Sequence, residues 1–153
     1  VIYETGSDRN REDRLASILT KRFGAELKRT AKLHGCDYFT YSKKYSRWMM
    51  VEVKSRHGRW DDYPDKLISM NKIGNAVSYL HMKVGYLIAY FCEDKLGIFV
   101  ALHASKVDPY EKDVRLCKQP DGSMENTLVV LIPNDQFTLI ELTDEERKLI
   151  WKT

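Results

Sequence analysis

Asp37, Glu52 and Lys54 are the residues whose types and spacing suit a chemical site. Residues 37–42 (Asp-Tyr-Phe-Thr-Tyr-Ser) and 47–55 (Arg-Trp-Met-Met-Val-Glu-Val-Lys-Ser) are rich in aromatic and β-branched residues. The polar residues 43–46 between them suit a turn, so the two runs predict a β-hairpin. With that turn centred between Lys44 and Tyr45, Asp37 faces Glu52. Opposed residues carry Cβ atoms only about 5 Å apart, where like charges destabilise a sheet. Side chains alternate along a strand, so Lys54 shares a face with Glu52 while Val53 points the other way.

Two carboxylates and a lysine thus converge on one face, and something must make that arrangement worthwhile. Lys54 can neutralise part of the charge in a structural ion pair. A hard divalent cation neutralises more. Magnesium takes one or two carboxylates together with waters and substrate phosphate oxygens. A lysine beside it can orient or activate an attacking water and stabilise charge on the phosphate. The strand around Glu52 is apolar on both sides, with Trp48, Met49, Met50, Val51 and Val53. Such a strand is expected to be buried, and buried charge without a purpose is rare.

A further acid comes from the first helix. Leu15, Ile18, Leu19 and Phe23 fall at helical spacing over residues 11–23, with Asp8 as a cap and Gly24 as the stop. Glu12 lies on the inward stripe and either needs a partner in the site or simply complements the helix dipole. Asp13 lies nearer solvent.

The remaining elements must position these groups. Residues 25–30 suit a short strand and 56–64 a polar loop, in which Trp60 and Tyr63 either stack on bases or, more simply, pack on the core. Helical periodicity over residues 66–82 carries Leu67, Met70, Ile73, Ala76, Val77 and Leu80. Residues 85–92 and 97–102 form apolar runs around Glu93, Asp94 and Lys95, and residues 128–132 and 136–140 suit two more strands. Thr143 to Glu146 matches a capping box opening a last helix. Residues 106–126 are polar and read as irregular. The order predicts one mixed α/β domain over residues 1–153, a central sheet flanked by helices. No P-loop or dinucleotide fingerprint is present.

Composition narrows the class. Residues 1–83 hold 17 Lys and Arg against 10 Asp and Glu, whereas residues 84–153 hold 8 against 12. A basic half suits a polyanionic partner. Cys36, Cys92 and Cys117 form no C-x-x-C pair, and His34, His57, His81 and His103 lack metal-ligand spacing. No run approaches the roughly 20 apolar residues of a membrane span. With a polar start and no apolar leader segment, a cytoplasmic protein with no membrane partner is the expectation.

Asp37 followed fifteen residues later by Glu52-Val53-Lys54 resembles the PD-(D/E)xK nuclease superfamily. The helix, hairpin, helix and strand order over residues 11–102 resembles its restriction-endonuclease-like core. Glu52 to Arg56, a polar loop, and a helix bearing Lys72 look like its small resolvase-like and phage-type members, which suits a phage or prokaryotic origin. Cys36 stands where many members carry proline. The resemblance implies metal-dependent cleavage of DNA, with Mg2+ as cofactor and Mn2+ able to replace it. Asp37, Glu52 and the Val53 backbone carbonyl would then ligate metal. Lys54 would be the catalytic lysine, and Glu12 the helix-borne acid.

Lys43, Lys44, Arg47, Arg56, Arg59, Lys66 and Lys72 are candidates for phosphate contacts, Lys72 pointing at the site. Such contacts position nucleic acid without reading sequence. A compact nuclease without a specificity module suits structure-selective or resolvase-like cutting, and cutting both strands suits a homodimer. The competing reading is an inactive nuclease-like protein that binds nucleic acid or joins a complex through its acidic half.

Overall fold

The computed structural model describes residues 6–30, 37–118 and 121–151. Cys36, before the first acid, and His34 lie outside them. Helix α1 spans Gly6–Phe23 and already includes Asp8, so Asp8 is not its cap. The helix does stop at Gly24, which takes a left-handed φ of +63° and donates its N–H to Thr20 O at 2.8 Å. The expected strand after it shrinks to a two-residue bridge, β1 (Lys28–Arg29).

The hairpin follows as β2 (Tyr38–Ser42) and β3 (Arg47–Ser55). Tyr38 pairs with Val51, Phe39 with Met50 and Tyr41 with Trp48, the expected register. The paired register ends at Tyr38, and Asp37 departs from it with its N–H on Val51 O at 3.2 Å. Ser46 turns the chain at φ +51°, and Ser42 Oγ accepts the Tyr45 N–H. Met49 to Val53 are all buried, so the doubly apolar run is a central strand, as its composition requires.

The expected helix over 66–82 begins later. Its first residues form strand β4 (Asp65–Ser69), and α2 spans Met70–Leu80. Ser69 caps it, its Oγ accepting the Asn71 N–H at 3.3 Å. The apolar residues Leu67 and Ile68 satisfy either periodicity, and pairing with a later strand decides for β. Strands β5 (Gly85–Phe91) and β6 (Lys95–Ala101) form the second hairpin.

Residues 106–126, expected to be irregular, supply one strand of a second sheet and the start of another. Strand β7 (Glu111–Lys118) pairs with β8 (Met124–Pro133), which also pairs with β4. A 3-10 turn, Asn134–Gln136, occupies the start of the last expected strand, leaving β9 (Thr138–Glu141). Helix α3 (Asp144–Ile150) opens on the expected capping box, with Thr143 and Glu146 bonding each other's backbone N–H at 2.9 and 3.1 Å.

One central sheet therefore becomes two. The six-stranded mixed sheet runs β1-β2-β3-β5-β6-β9, and the antiparallel one runs β4-β8-β7. Strands β3 and β5 are parallel, because the connection between them crosses through β4 and α2. Alternation divides the core between the faces of the larger sheet. Met50, Tyr86, Ile88, Tyr90 and Phe99 face α2 and the small sheet through Ile73, Ala76, Ile68, Val130 and Ile132. Val51, Val53, Ala89 and Phe91 face Leu15, Ala16, Ile18 and Leu19 of α1 and Ile150 of α3. Gly97 lets the Trp60 ring lie against the sheet, since a Cβ there would stand 2.1 Å from the ring. No helix among the described residues is long and apolar enough to cross a membrane.

Candidate active site

The site arises where one strand outlasts its neighbour. Strand β2 ends at the Tyr38–Val51 pair, while β3 continues to Ser55. On its other side β3 stays paired, Glu52 with Ile88 and Lys54 with Tyr90. The last turn of β3 thus has an open side. Asp37 fills part of the gap. Its N–H donates to Val51 O at 3.2 Å, and its carboxylate Oδ2 accepts the Val53 N–H at 2.8 Å. Thr30 holds it from behind, its N–H and hydroxyl both donating to Asp37 O at 3.1 Å. The N–H and C=O of one strand residue point to the same side, so the Val53 carbonyl faces the gap beside Asp37.

Around this gap lies a cleft of about 350 Å³. Its walls are Asp37, Glu52, Val53, Lys54 and Ser55 from the sheet, Arg11, Glu12 and Leu15 from α1, and Lys72 from α2. The structure thus brings together Asp37, Glu52, Lys54 and Lys72, and sets Glu12 on the opposite wall.

Glu52 is only 2% exposed. Its Oε2 lies 3.4 Å from Lys72 Nζ, an ion pair rather than a hydrogen bond, and that oxygen has no hydrogen-bond partner. Burial, and then the charge of Asp37, push its carboxyl up to about 7, against the pull of Lys72 and Lys54. Burial alone would lower Lys72, but the combined attraction of Glu52, Asp37 and Glu12 holds its ammonium above the ordinary value. A buried acid with an unsatisfied oxygen costs about 1–3 kcal/mol or more. A cation held by it and Asp37 would offset that cost. The donors on offer are carboxylate and carbonyl oxygens, which suit a hard divalent ion.

Glu12 is engaged elsewhere. Arg29 Nη2 pairs with its Oε2 at 3.1 Å, and Arg29 Nη1 reaches Asp13 Oδ1 at 3.0 Å. Tyr38 completes the cluster, its hydroxyl donating to Asp13 Oδ1 at 2.8 Å. Burial and then that hydrogen bond raise the Tyr38 pKa, so it stays a donor. Among the described residues no three His, Cys, Asp or Glu side chains stand close enough together to hold a metal. Glu12 therefore lines the cleft without closing a three-acid cluster. Arg29 is the residue that pattern reading missed, since nothing in its local sequence pairs it with an acid seventeen residues away.

The candidate phosphate contacts separate into groups. Lys54 and Lys72 line the cleft, and Arg56 follows directly on β3, stacked 4.1 Å over the exposed Tyr63 ring. Arg59 is exposed but lies 3.6 Å from Asp94. Lys43 and Lys44 lie in the hairpin turn, and Arg47 donates to Leu102 O. These three sit at the opposite end of β3, about 20 Å from Lys54 at the rise of a strand, and not around the site. Lys66, expected among the phosphate contacts, lies inside the protein instead. It is 3% exposed, donates to Trp60 O at 2.9 Å and Asn134 Oδ1 at 2.7 Å, and lies 4.0 Å from the Trp60 ring. A lysine so enclosed cannot reach a phosphate; it ties the small sheet to the 3-10 turn at Trp60. Trp60 itself is core.

A sequence model of the family described as "Phage putative PDDEXK endonuclease" matches residues 1–140. No curated protein matches the chain. Among solved structures, a Holliday junction resolvase, Hjc of Archaeoglobus fulgidus, superposes with a TM-score of 0.49 at 11% identity, covering 88% of this chain and 93% of its own.

Proposed function

The chain belongs to the phage PDDEXK endonuclease family, and from that premise we propose that it is a divalent-metal-dependent deoxyribonuclease that selects its substrate by DNA form. The observation that carries the site is Glu52, buried beside Asp37 with a carboxylate oxygen that accepts no hydrogen bond and meets only the Lys72 ammonium as an ion pair. Asp37, Glu52 and the Val53 carbonyl would hold the ion, Mg2+ with Mn2+ as a substitute. When bound, such an ion supplies Lewis-acid stabilisation of the phosphate and lowers the pKa of a bound water.

The chain's own groups do the rest. Asp37 is fixed by the Val53 N–H and arrives oriented. Lys54, on the Glu52 face of β3, orients the attacking water and stabilises charge developing on the phosphate. Lys72 balances the negative charge of the site and presents a second cation to the DNA backbone. Arg29 positions Glu12 at the far wall. Lys54, Lys72 and Arg56 reach phosphates, which carry no sequence information directly, and that favours recognition by shape over recognition by sequence.

A cleavage assay tests this reading. Supercoiled plasmid and a four-way DNA junction are incubated with wild type, Glu52→Ala or Lys54→Ala in magnesium or manganese. Wild type is expected to cut, with the junction preferred, and both variants to fail. Salt-dependent DNA binding by a wild-type protein that cuts no substrate would sink the enzyme and leave a binding protein.

A further inference from the structure

The small sheet ends in an arm that the active site does not use. Strand β7 is its edge, with β8 on one side and no strand on the other among the described residues. Val130 and Ile132 of β8 point into the core. The same face runs on past the core as Leu128 and Met124, with Val114 and Leu116 beside them on β7. These four are 48%, 53%, 57% and 62% exposed, and Val114 lies directly opposite Leu128. Apolar side chains in a contiguous group on an open-edged ribbon mark an interaction surface.

The backbone says how a partner would meet it. The Val114 N–H is taken by the Asp113 carboxylate at 2.8 Å, which puts it on the open edge and out of the ladder with β8. By alternation Lys112, Val114 and Leu116 present their N–H and C=O groups outward. A second β7 joining antiparallel must match outward residues with outward residues. Two twofold registers keep at least six residues of β7 paired under that condition, centred on Val114 or Arg115. Centring on Arg115 opposes the arginine to its own copy and Lys112 to Lys118. That register places like charges together. Centring on Val114 instead opposes Asp113 to Arg115 of the partner subunit twice over. It also sets Leu128, Val114 and their two symmetry copies in one row across four strands.

We propose that the chain forms a twofold dimer by pairing β7 with β7 of a second copy, centred on Val114. The small sheets then join as one six-stranded antiparallel sheet, with about six new main-chain hydrogen bonds. In the free chain Asp113 accepts from Arg115 Nε at 2.8 Å; in the dimer both groups re-pair across the axis. Charge on an edge strand ordinarily keeps it from pairing. Here the charge pattern is self-complementary in one register. The proposal deepens the nuclease reading, since cutting two strands calls for two sites, but its test reads mass and not cleavage, so the two fail separately.

The test is sedimentation equilibrium on the full chain. Wild type is expected to show the mass of two chains. Asp113→Arg and Arg115→Asp are each expected to halve it, by opposing like charges. Mixing these two variants, or combining both substitutions in one chain, is expected to restore the dimer. Val114→Pro removes an outward N–H without a ladder bond, so it is expected to give a monomer with unchanged thermal unfolding at the same chain concentration after the dimer's mass-action term is subtracted. A monomeric wild type overturns the proposal. So does a dimer that survives both charge reversals, or single variants whose mixture stays monomeric.

Discussion

Replacing Glu52 by glutamine should make the metal-free protein more stable while abolishing its chemistry. Glu52 carries an ordinary carboxyl pKa of 4.5 when unfolded and about 7 when folded. Between those values the folded protein binds more protons than the unfolded chain, so stability falls as pH rises across the window. The contribution is fully present below 4.5 and lost once pH passes about 7. That displacement corresponds to about 3 kcal/mol. Lys72 takes part of it back, because its ammonium is raised by the pair and loses Glu52 in the variant. A net gain of about 1–2 kcal/mol near pH 8 is therefore expected for Glu52→Gln, with little difference near pH 4.5. The assay is urea unfolding of both proteins in chelator at the two pH values. Titrating groups remote from Glu52 cancel in the comparison. Adding magnesium at about 100 times its dissociation constant should return about 2.7 kcal/mol to wild type and nothing to the variant. A variant less stable than wild type near pH 8 without metal, or a difference that does not change with pH, would refute the burial account of this carboxylate.

Other perturbations separate roles that the sequence groups together. Lys54→Met should slow cleavage by about 10²- to 10³-fold while magnesium still stabilises the protein; equal loss of both would mean that Lys54 holds the site together. Lys66→Met should cost about 1–3 kcal/mol in urea unfolding and leave DNA affinity unchanged. Arg56→Ala should do the reverse, weakening binding and lowering the salt slope by about one. Gly97→Ala should destabilise by about 1–3 kcal/mol, because its Cβ would press on the Trp60 ring; an unchanged midpoint would show that Trp60 can shift freely.

Periodicity and turn chemistry were enough to find the hairpin, its register and the capping box, because each depends on residues close in the chain. The same local rules put Lys54 on the Glu52 face, whereas Asp37 is held beside the strand by bonds to Val51 and Val53 beyond the ladder. They failed where one stretch satisfies two periods. Leu67 and Ile68 fit a helix until β8 offers them a ladder. Residues 111–118 look irregular because their strand is exposed on both faces, so only Val114 and Leu116 mark its alternation amid charged residues. Lysines could not be sorted by letter either. Lys54 and Lys72 line a cleft, Lys43 and Lys44 lie at the other end of the strand, and Lys66 is enclosed. Only tertiary structure decided these, and it alone revealed that Glu12 faces Arg29. Strand alternation brings side chains to one face, whereas burial, ion pairing and the open side of β3 depend on which distant elements pack there.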